Sequence, residues 1–189
     1  AALLKEQGHE GIGVTMKWWE GPNGEMPETG CCTASDSEDA RKVASKLDIP
    51  YYVLDYTESF SKNVVDNFTQ MYAQGLTPNP CVECNRSVKF DHFINQAKKL
   101  NCDKVATGHY AKIIKNNDKY ELHKADYLDK DQSYVLHMLK SSDLENITFP
   151  LGEISKPDVR QIAARIGLKT AFKKDSQDIC FVGKKDYRS

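Results

Sequence analysis

The residues best able to do covalent chemistry in this chain are cysteines: Cys81 and Cys84 in TPNPCVECN, and Cys180 in DSQDICFVG. A Cys-x-x-Cys can be half of a zinc site, a redox pair or a nucleophile with a neighbour. Zinc needs two further ligands at a compatible spacing. The remaining cysteines offer only the adjacent Cys31-Cys32 and the isolated Cys102, and there is no second Cys-x-x-Cys and no His-x-x-x-His. A thioredoxin-like pair belongs at a helix start that follows a strand, whereas this one follows a helix ending near Gly75. A loop-borne nucleophile fits better. Pro78 and Pro80 fix their own φ angles and restrict the residues before them, so Asn79 has little freedom. With TPNPCVECN read as a loop, Cys84 stands beside the start of the next helix, where partial positive charge favours a thiolate. The alternative is that both cysteines are small buried hydrophobes. Cys180, alone, reads as a buried structural thiol; with Cys84 it makes a pair able to act in sequence.

Other polar residues sit where ligands are met. His109 in TGHY follows a short strand and suits a phosphate, a base or a strand cap. Lys130-Asp131-Gln132 stands at a helix entrance, either as a contact or as a solvated first turn. Trp18-Trp19 at a strand end suits stacking on a base or plain packing.

The elements that position these residues alternate. AALLKEQG is the end of a helix stopped by Gly8, and GIGVTMK is a buried strand. Residues 18–34 form a loop, and Ser35-x-x-Glu38 is a capping-box signature for the helix EDARKVASKL. YYVLDY is the next strand. A long amphipathic helix follows, with Phe60, Val64, Phe68, Met71 and Tyr72 at helical spacing and Gly75 as its stop. After TPNPCVECN a helix places Phe90, Phe93, Ile94, Ala97 and Leu100 on one face. KVAT is a short strand, AKIIKNNDKYELHKA a hairpin around Asn116-Asn117-Asp118, and DQSYVLHMLK a helix. Ser155-Lys156-Pro157-Asp158 opens a last helix that turns Val159, Ile162, Ala163 and Ile166 inward and ends before Gly167. Such alternation gives an α/β fold, a parallel sheet with helices on both faces and a small hairpin insertion. Ligands of these sheets bind at the carboxyl ends of the strands.

The 189 residues, 40% hydrophobic and 28% charged, suit one globular domain. No apolar run is long enough to span a bilayer and no secretory signal is present. Six cysteines in a chain of this size imply intracellular thiols, and so a cytoplasmic protein with no membrane partner. A net charge of -1 weighs against nucleic acid, while local clusters such as Lys173-Lys174 and Lys184-Lys185 leave room for a phosphate footprint.

Taken in order, AALLKEQGHE, GVTMK, TPNPCVECNRSVKF, ATGHYAKI, KDQSYVL, FPLGE, KPDVRQIA and KKDSQDICFVG resemble the tRNA-specific 2-thiouridylases. The resemblance implies a Rossmann-like catalytic domain of the PP-loop ATP pyrophosphatase type spanning residues 1–189. It implies that the family's Ser-Gly-Gly-x-Asp-Ser-Ser phosphate loop belongs before AALLKEQG. Its central and β-barrel domains belong after the tail, and none of these lies within the sequence. The implied activity is ATP-dependent 2-thiolation of the wobble uridine of tRNA, with ATP and Mg²⁺ as cofactors and a persulfide donor protein as a further partner. By motif, Met16 and Gly108 become ATP contacts, and His109, Lys130, Asp131 and Gln132 become tRNA contacts. Asn79, Pro80 and Cys81 lie against the target base. Cys84 becomes the nucleophile and Cys180 the persulfide carrier, the two ending in a disulfide. Many members have Asp where this chain has Cys81, so a carboxylate role there does not carry over.

Two other functions compete: an ATP-dependent amide-forming synthetase of the same fold, which needs no paired thiols, and a zinc-stabilised RNA-binding module. Elemental analysis separates the second. The thiol reading expects no stoichiometric zinc in purified protein, and one zinc per chain would favour the module.

Overall fold

The computed structural model describes residues 1–19, 33–173 and 179–181. The chain folds as two compact units. One comprises Ala1–Pro80 with the described residues after Phe172, and the other runs over Cys81–Phe172.

In the first unit, helix α1 (Ala2–Glu6) ends at a left-handed Gly8, with φ of 85°. Strand β1 (Gly13–Lys17) follows. Helix α2 (Ala34–Lys46) does not open at Ser35 as the capping-box signature suggested. Thr33 caps it instead: its Oγ1 accepts the Asp36 N–H at 3.1 Å, and Asp36 Oδ2 accepts the Thr33 N–H at 3.0 Å. Glu38, the other half of the expected box, pairs with Arg41 at 2.7 Å. Two overlapping motifs compete here, and the earlier one satisfies the end of the helix.

Strand β2 (Tyr51–Asp55) lies parallel to β1, with Met16 opposite Leu54. Helix α3 (Thr57–Phe60), a π-helical stretch over Ser61–Val65 and helix α4 (Asp66–Ala73) then continue one another. Gly75, at φ of 78°, follows. This helical run buries Phe60 and Val64, each 1% exposed, while Met71 and Tyr72 stay nearer the surface. Trp18 packs on Tyr56 and Phe60, with ring centroids 6.2 and 6.3 Å apart, so its role is packing and not stacking on a base. The loop expected over residues 18–34 lies mostly outside the described residues.

The second unit begins within a long helical run: α5 (Pro80–Glu83), a π-helical stretch over Cys84–Phe90 and α6 (Asp91–Lys99). Phe90, Ile94 and Ala97 face the core, with Phe93 partly buried against it. Strand β3 (Val105–Ala106) pairs in parallel with β6 (Ile147–Thr148), and β4 (Ala111–Asn116) forms an antiparallel hairpin with β5 (Lys119–Lys124). The hairpin turns at Asn117, φ 53°, as its Asn-Asn-Asp sequence predicts.

The expected helix over DQSYVLHMLK does not form; only a 3₁₀ turn, Ser133–Val135, appears there. The reason is tertiary. The backbone N–H of Gln132 donates to Tyr110 O at 2.8 Å, and Asp131 Oδ1 accepts the Ala125 N–H at 2.9 Å. Further on, Val135 O accepts a hydrogen bond from Asn85 Nδ2 at 3.2 Å, and the Leu136 and Leu139 N–H groups each bond at 3.0 Å to a carbonyl three residues back in place of an α-helical ladder. Helices α7 (Ser141–Leu144) and α8 (Lys156–Arg165) complete the unit, α8 capped by Ser155 with Pro157 in its first turn.

The parallel pairs and flanking helices are those of an α/β fold, with the hairpin as its antiparallel addition. No helix among the described residues is long and apolar enough to cross a membrane.

The FPLGE turn packs without spare space against the hairpin. A Cβ on Gly152 would lie 2.1 Å from the backbone oxygen of Ala111 and 2.9 Å from its carbonyl carbon. Backbone cannot yield as a side-chain tip can. Gly152→Ala should therefore destabilise the protein by about 2–3 kcal/mol, as overpacking does. A urea midpoint unchanged from the parent would contradict this packing.

Candidate active site

The helical run that carries Cys84 starts at Pro80, six residues earlier than a loop over the whole of TPNPCVECN would allow. Proline suits that position because its missing N–H would have no helical partner there. Asn79 is exposed, Pro80 buried and Cys81 exposed in the first turn. Cys84 is 9% exposed and lies a full turn into the helix. The expectation that Cys84 adjoins the helix start is therefore corrected. The first-turn position, where unsatisfied N–H groups favour a thiolate, is that of Cys81.

Cys84 instead opens the π-helical stretch. Such a stretch inserts an extra residue into a helix and recurs at functional sites. Here it turns two consecutive side chains, Cys84 and Asn85, into the interior. Ser87 Oγ donates to Glu83 O at 2.9 Å and Arg86 pairs with Glu83 at 2.7 Å, which ties the widened turn together. Asn85 is 2% exposed, and its Nδ2 donates to Val135 O at 3.2 Å, across fifty residues of chain.

Gly108 and His109 follow β3. Gly108 is exposed, and an added Cβ would find only Leu151 Cδ1, at 3.9 Å. A planar ligand therefore has room to approach the backbone. The His109 ring lies 6.0 Å from both Phe90 and Phe149, edge-on to the latter. Its Nδ1 is 2.8 Å from Thr107 Oγ1. Desolvation, reinforced by the charge of Lys89, pushes the His109 pKa from 6.5 down to about 3. His109 is thus a neutral ring and not a phosphate-binding cation.

The Lys130-Asp131-Gln132 segment is joined to the same strand end. Gln132 clamps Tyr110 from both sides: its N–H donates to Tyr110 O, and its Oε1 accepts the Tyr110 N–H at 3.1 Å. Burial disfavours the Asp131 charge, but the Ala125 N–H and the Ser133 hydroxyl outweigh it and hold its pKa below the carboxylate norm. Asp131 and Gln132 thus spend their side chains on the fold, while Lys130 lies half-buried at the segment's start. No sequence signal marked Phe149 or the Asn85 tether, whose partners come from distant positions, while Thr107 Oγ1 meets a ring only two residues on.

In the first unit, Met16 is 9% exposed and stands one residue before the end of β1. Cys180 is half-buried in a short turn. Its neighbour Phe181 anchors that turn, with ring centroids 5.4 Å from Phe68 and 5.8 Å from Phe60. Cys81, Cys84, Cys102 and Cys180 are all thiols, none in a disulfide. Among the described residues no three His, Cys, Asp or Glu side chains converge as a metal site would require.

The sequence profile of the tRNA methyl transferase HUP domain matches residues 1–184, across both units. The chain is 48% identical to the tRNA-specific 2-thiouridylase MnmA of Chloroflexus aurantiacus over its whole length, covering 53% of that protein. It is also 48% identical to the MnmA proteins of Clostridium botulinum and Geobacter metallireducens, over 99% of the chain and 52% of each relative. The chain therefore spans about half the length of these curated relatives.

The desolvated ring of His109 gives a pH signature. Its folded pKa lies below the unfolded value, so between about pH 6.5 and pH 3 the unfolded chain holds the extra proton. That difference lowers stability as pH falls through this window. His109→Gln should lose less stability on acidification than the parent. In NMR spectra, the His109 imidazole should stay neutral down to about pH 5. Titration near its ordinary value would contradict the placement.

Proposed function

Because the chain belongs to the tRNA methyl transferase HUP domain family, an α/β fold of the Rossmann-like kind, we propose that it is the catalytic part of an enzyme that 2-thiolates the wobble uridine of tRNA. The reading rests on two thiols, Cys84 buried at the widened turn of the second unit and Cys180 beside Phe181 in the first, each within a stretch that resembles the thiouridylases. The family's name speaks of methyl transfer. Two thiols in stretches that resemble the thiouridylases, and 48% identity to a protein of that name, favour sulfur.

In the proposed chemistry, uridine O2 is a poor leaving group until it is adenylated, with release of pyrophosphate; ATP is the cosubstrate that supplies this activation. Met16 and Gly108 serve the nucleoside end, and the open backbone of Gly108 fits that use. The residues present fit the nucleoside better than the phosphates, since no Ser-Gly-Gly loop occurs in the sequence. Mg²⁺ would accompany the phosphates and offset their charge. The outer sulfur of a Cys180 persulfide, loaded by a donor protein, forms a bond to C2 as AMP departs with the oxygen. Cys84, as thiolate, then attacks Cys180 Sγ. The sulfur–sulfur bond to the base breaks, its electrons stay on the 2-thio group, and a Cys84–Cys180 disulfide remains for an external thiol to reduce.

Asn79, Pro80 and Cys81 form the surface against the base, Lys130 serves the tRNA backbone, and His109 offers a neutral ring. Asp131 and Gln132 act in tRNA binding by holding Lys130 and the Gly108-His109 loop in place. The enzyme would work in the cytoplasm, where thiols stay reduced.

Activity assays on the full-length enzyme divide these roles. Cys180→Ser should abolish thiouridine formation while leaving tRNA-dependent pyrophosphate release. Cys84→Ala should lose nearly all thiolation, and Cys81→Ala should keep a substantial part. Peptide mapping after turnover should find Cys84 joined to Cys180. A Cys81–Cys180 link with an active Cys84→Ala variant would reverse the assignment, and parallel loss of both activities in folded Cys180→Ser would refute the division of labour.

A further inference from the structure

Asn85 is an expensive residue where it stands. A carboxamide 2% exposed must lose its water, and burial without compensation disfavours folding. Only half of the compensation is present. Its Nδ2 donates to Val135 O at 3.2 Å, while its Oδ1, fully buried, accepts from no group among the described residues. An aliphatic side chain would fill the site without that cost. What an aliphatic residue cannot do is hold a backbone carbonyl fifty positions away.

The carbonyl it holds is informative. Val135 ends the 3₁₀ turn that Gln132 begins, and Gln132 is bonded twice to Tyr110, the residue after His109. The Cys84 turn, the Lys130-Asp131-Gln132 segment and the Gly108-His109 loop are therefore joined by three hydrogen bonds to backbone atoms, all inside the second unit. The π-helical stretch makes such a tie necessary. A widened turn has a poorer internal ladder than an α-helix, so it fixes the direction of a side chain less firmly.

We propose that Asn85 is a positioning residue for Cys84: its amide bond to Val135 O sets the register of the widened turn and keeps the thiol buried until it acts. The proposal rests on the reading of Cys84 as the reactive thiol, but its test does not need that reading to hold. Cys81, exposed and three residues away, is an internal reference on the same segment.

The experiment compares iodoacetamide alkylation of Cys84 and Cys81 in the full-length enzyme by quantitative peptide mapping, with circular dichroism to confirm folding. Asn85→Ala should raise the Cys84-to-Cys81 ratio by about three- to tenfold, the population shift that one hydrogen bond of ordinary net strength controls. The folded variant should also lose kcat for tRNA thiolation with KM little changed. Asn85→Asp keeps the shape but has no donor while ionised. Its ratio should be raised at neutral pH and return toward that of the parent as the acid regains a proton to offer Val135 O. If Asn85→Ala does not fold, Asn85→Asp carries the test through this pH reversal, which a change in packing alone would not produce. An alkylation ratio equal to the parent's, or one raised alike at every pH in Asn85→Asp, overturns the tether. An active Cys84→Ala enzyme would overturn the catalytic reading and leave the tether standing.

Discussion

The second unit depends on carboxamides bonded to backbone, one buried and one half-buried. Gln132 holds the peptide of Tyr110 from both sides, and Asn85 holds the carbonyl of Val135. Buried backbone groups outside helices and strands need partners, and in irregular segments side chains must supply them. That requirement explains why Asp131 and Gln132, placed where a helix could start, are spent on a hairpin and a loop. It also explains how three segments distant in sequence become one surface around Gly108 and His109.

The surroundings of that surface are apolar. Phe90 and Phe149 bracket the His109 ring, and both belong to the core cluster of the unit. Desolvation there fixes the charge of the imidazole, so its chemistry follows from packing as much as from its identity. In the first unit the same economy holds for Cys180. Its turn is held by an aromatic neighbour seated between Phe60 and Phe68, whereas the cysteine itself stays half-buried.

Much of this was legible in the sequence, and for identifiable reasons. The strands GVTMK and YYVLD and the Asn-Asn-Asp hairpin are local patterns, and local patterns survive folding. The core face of Phe90, Ile94 and Ala97 appears at the spacing that periodicity requires. The misreadings occur where a tertiary partner overrides a local signal. DQSYVLHMLK has helical spacing, but Asn85 from another segment takes the Val135 carbonyl of its ladder. Ser35-x-x-Glu38 is a sound capping motif, displaced by Thr33 two residues earlier. TPNPCVECN looks like a loop to its end because two prolines dominate it, yet Pro80 begins a helix. The cysteines could be singled out by type and motif. Asn85 and Phe149 could not, since nothing in one sequence says which carbonyl or imidazole will stand opposite them.

If sulfur passes through Cys180 to tRNA, its path can be followed with a label. The full-length enzyme would be loaded with radiolabelled sulfane sulfur, freed of donor, and mapped before and after a single turnover with tRNA and Mg-ATP. The account predicts label on the Cys180 peptide at the start and on tRNA uridine afterwards, with transfer dependent on ATP. Label that resides on the Cys81–Cys84 peptide, or that stays on Cys180 while uridine is thiolated from another source, would contradict it.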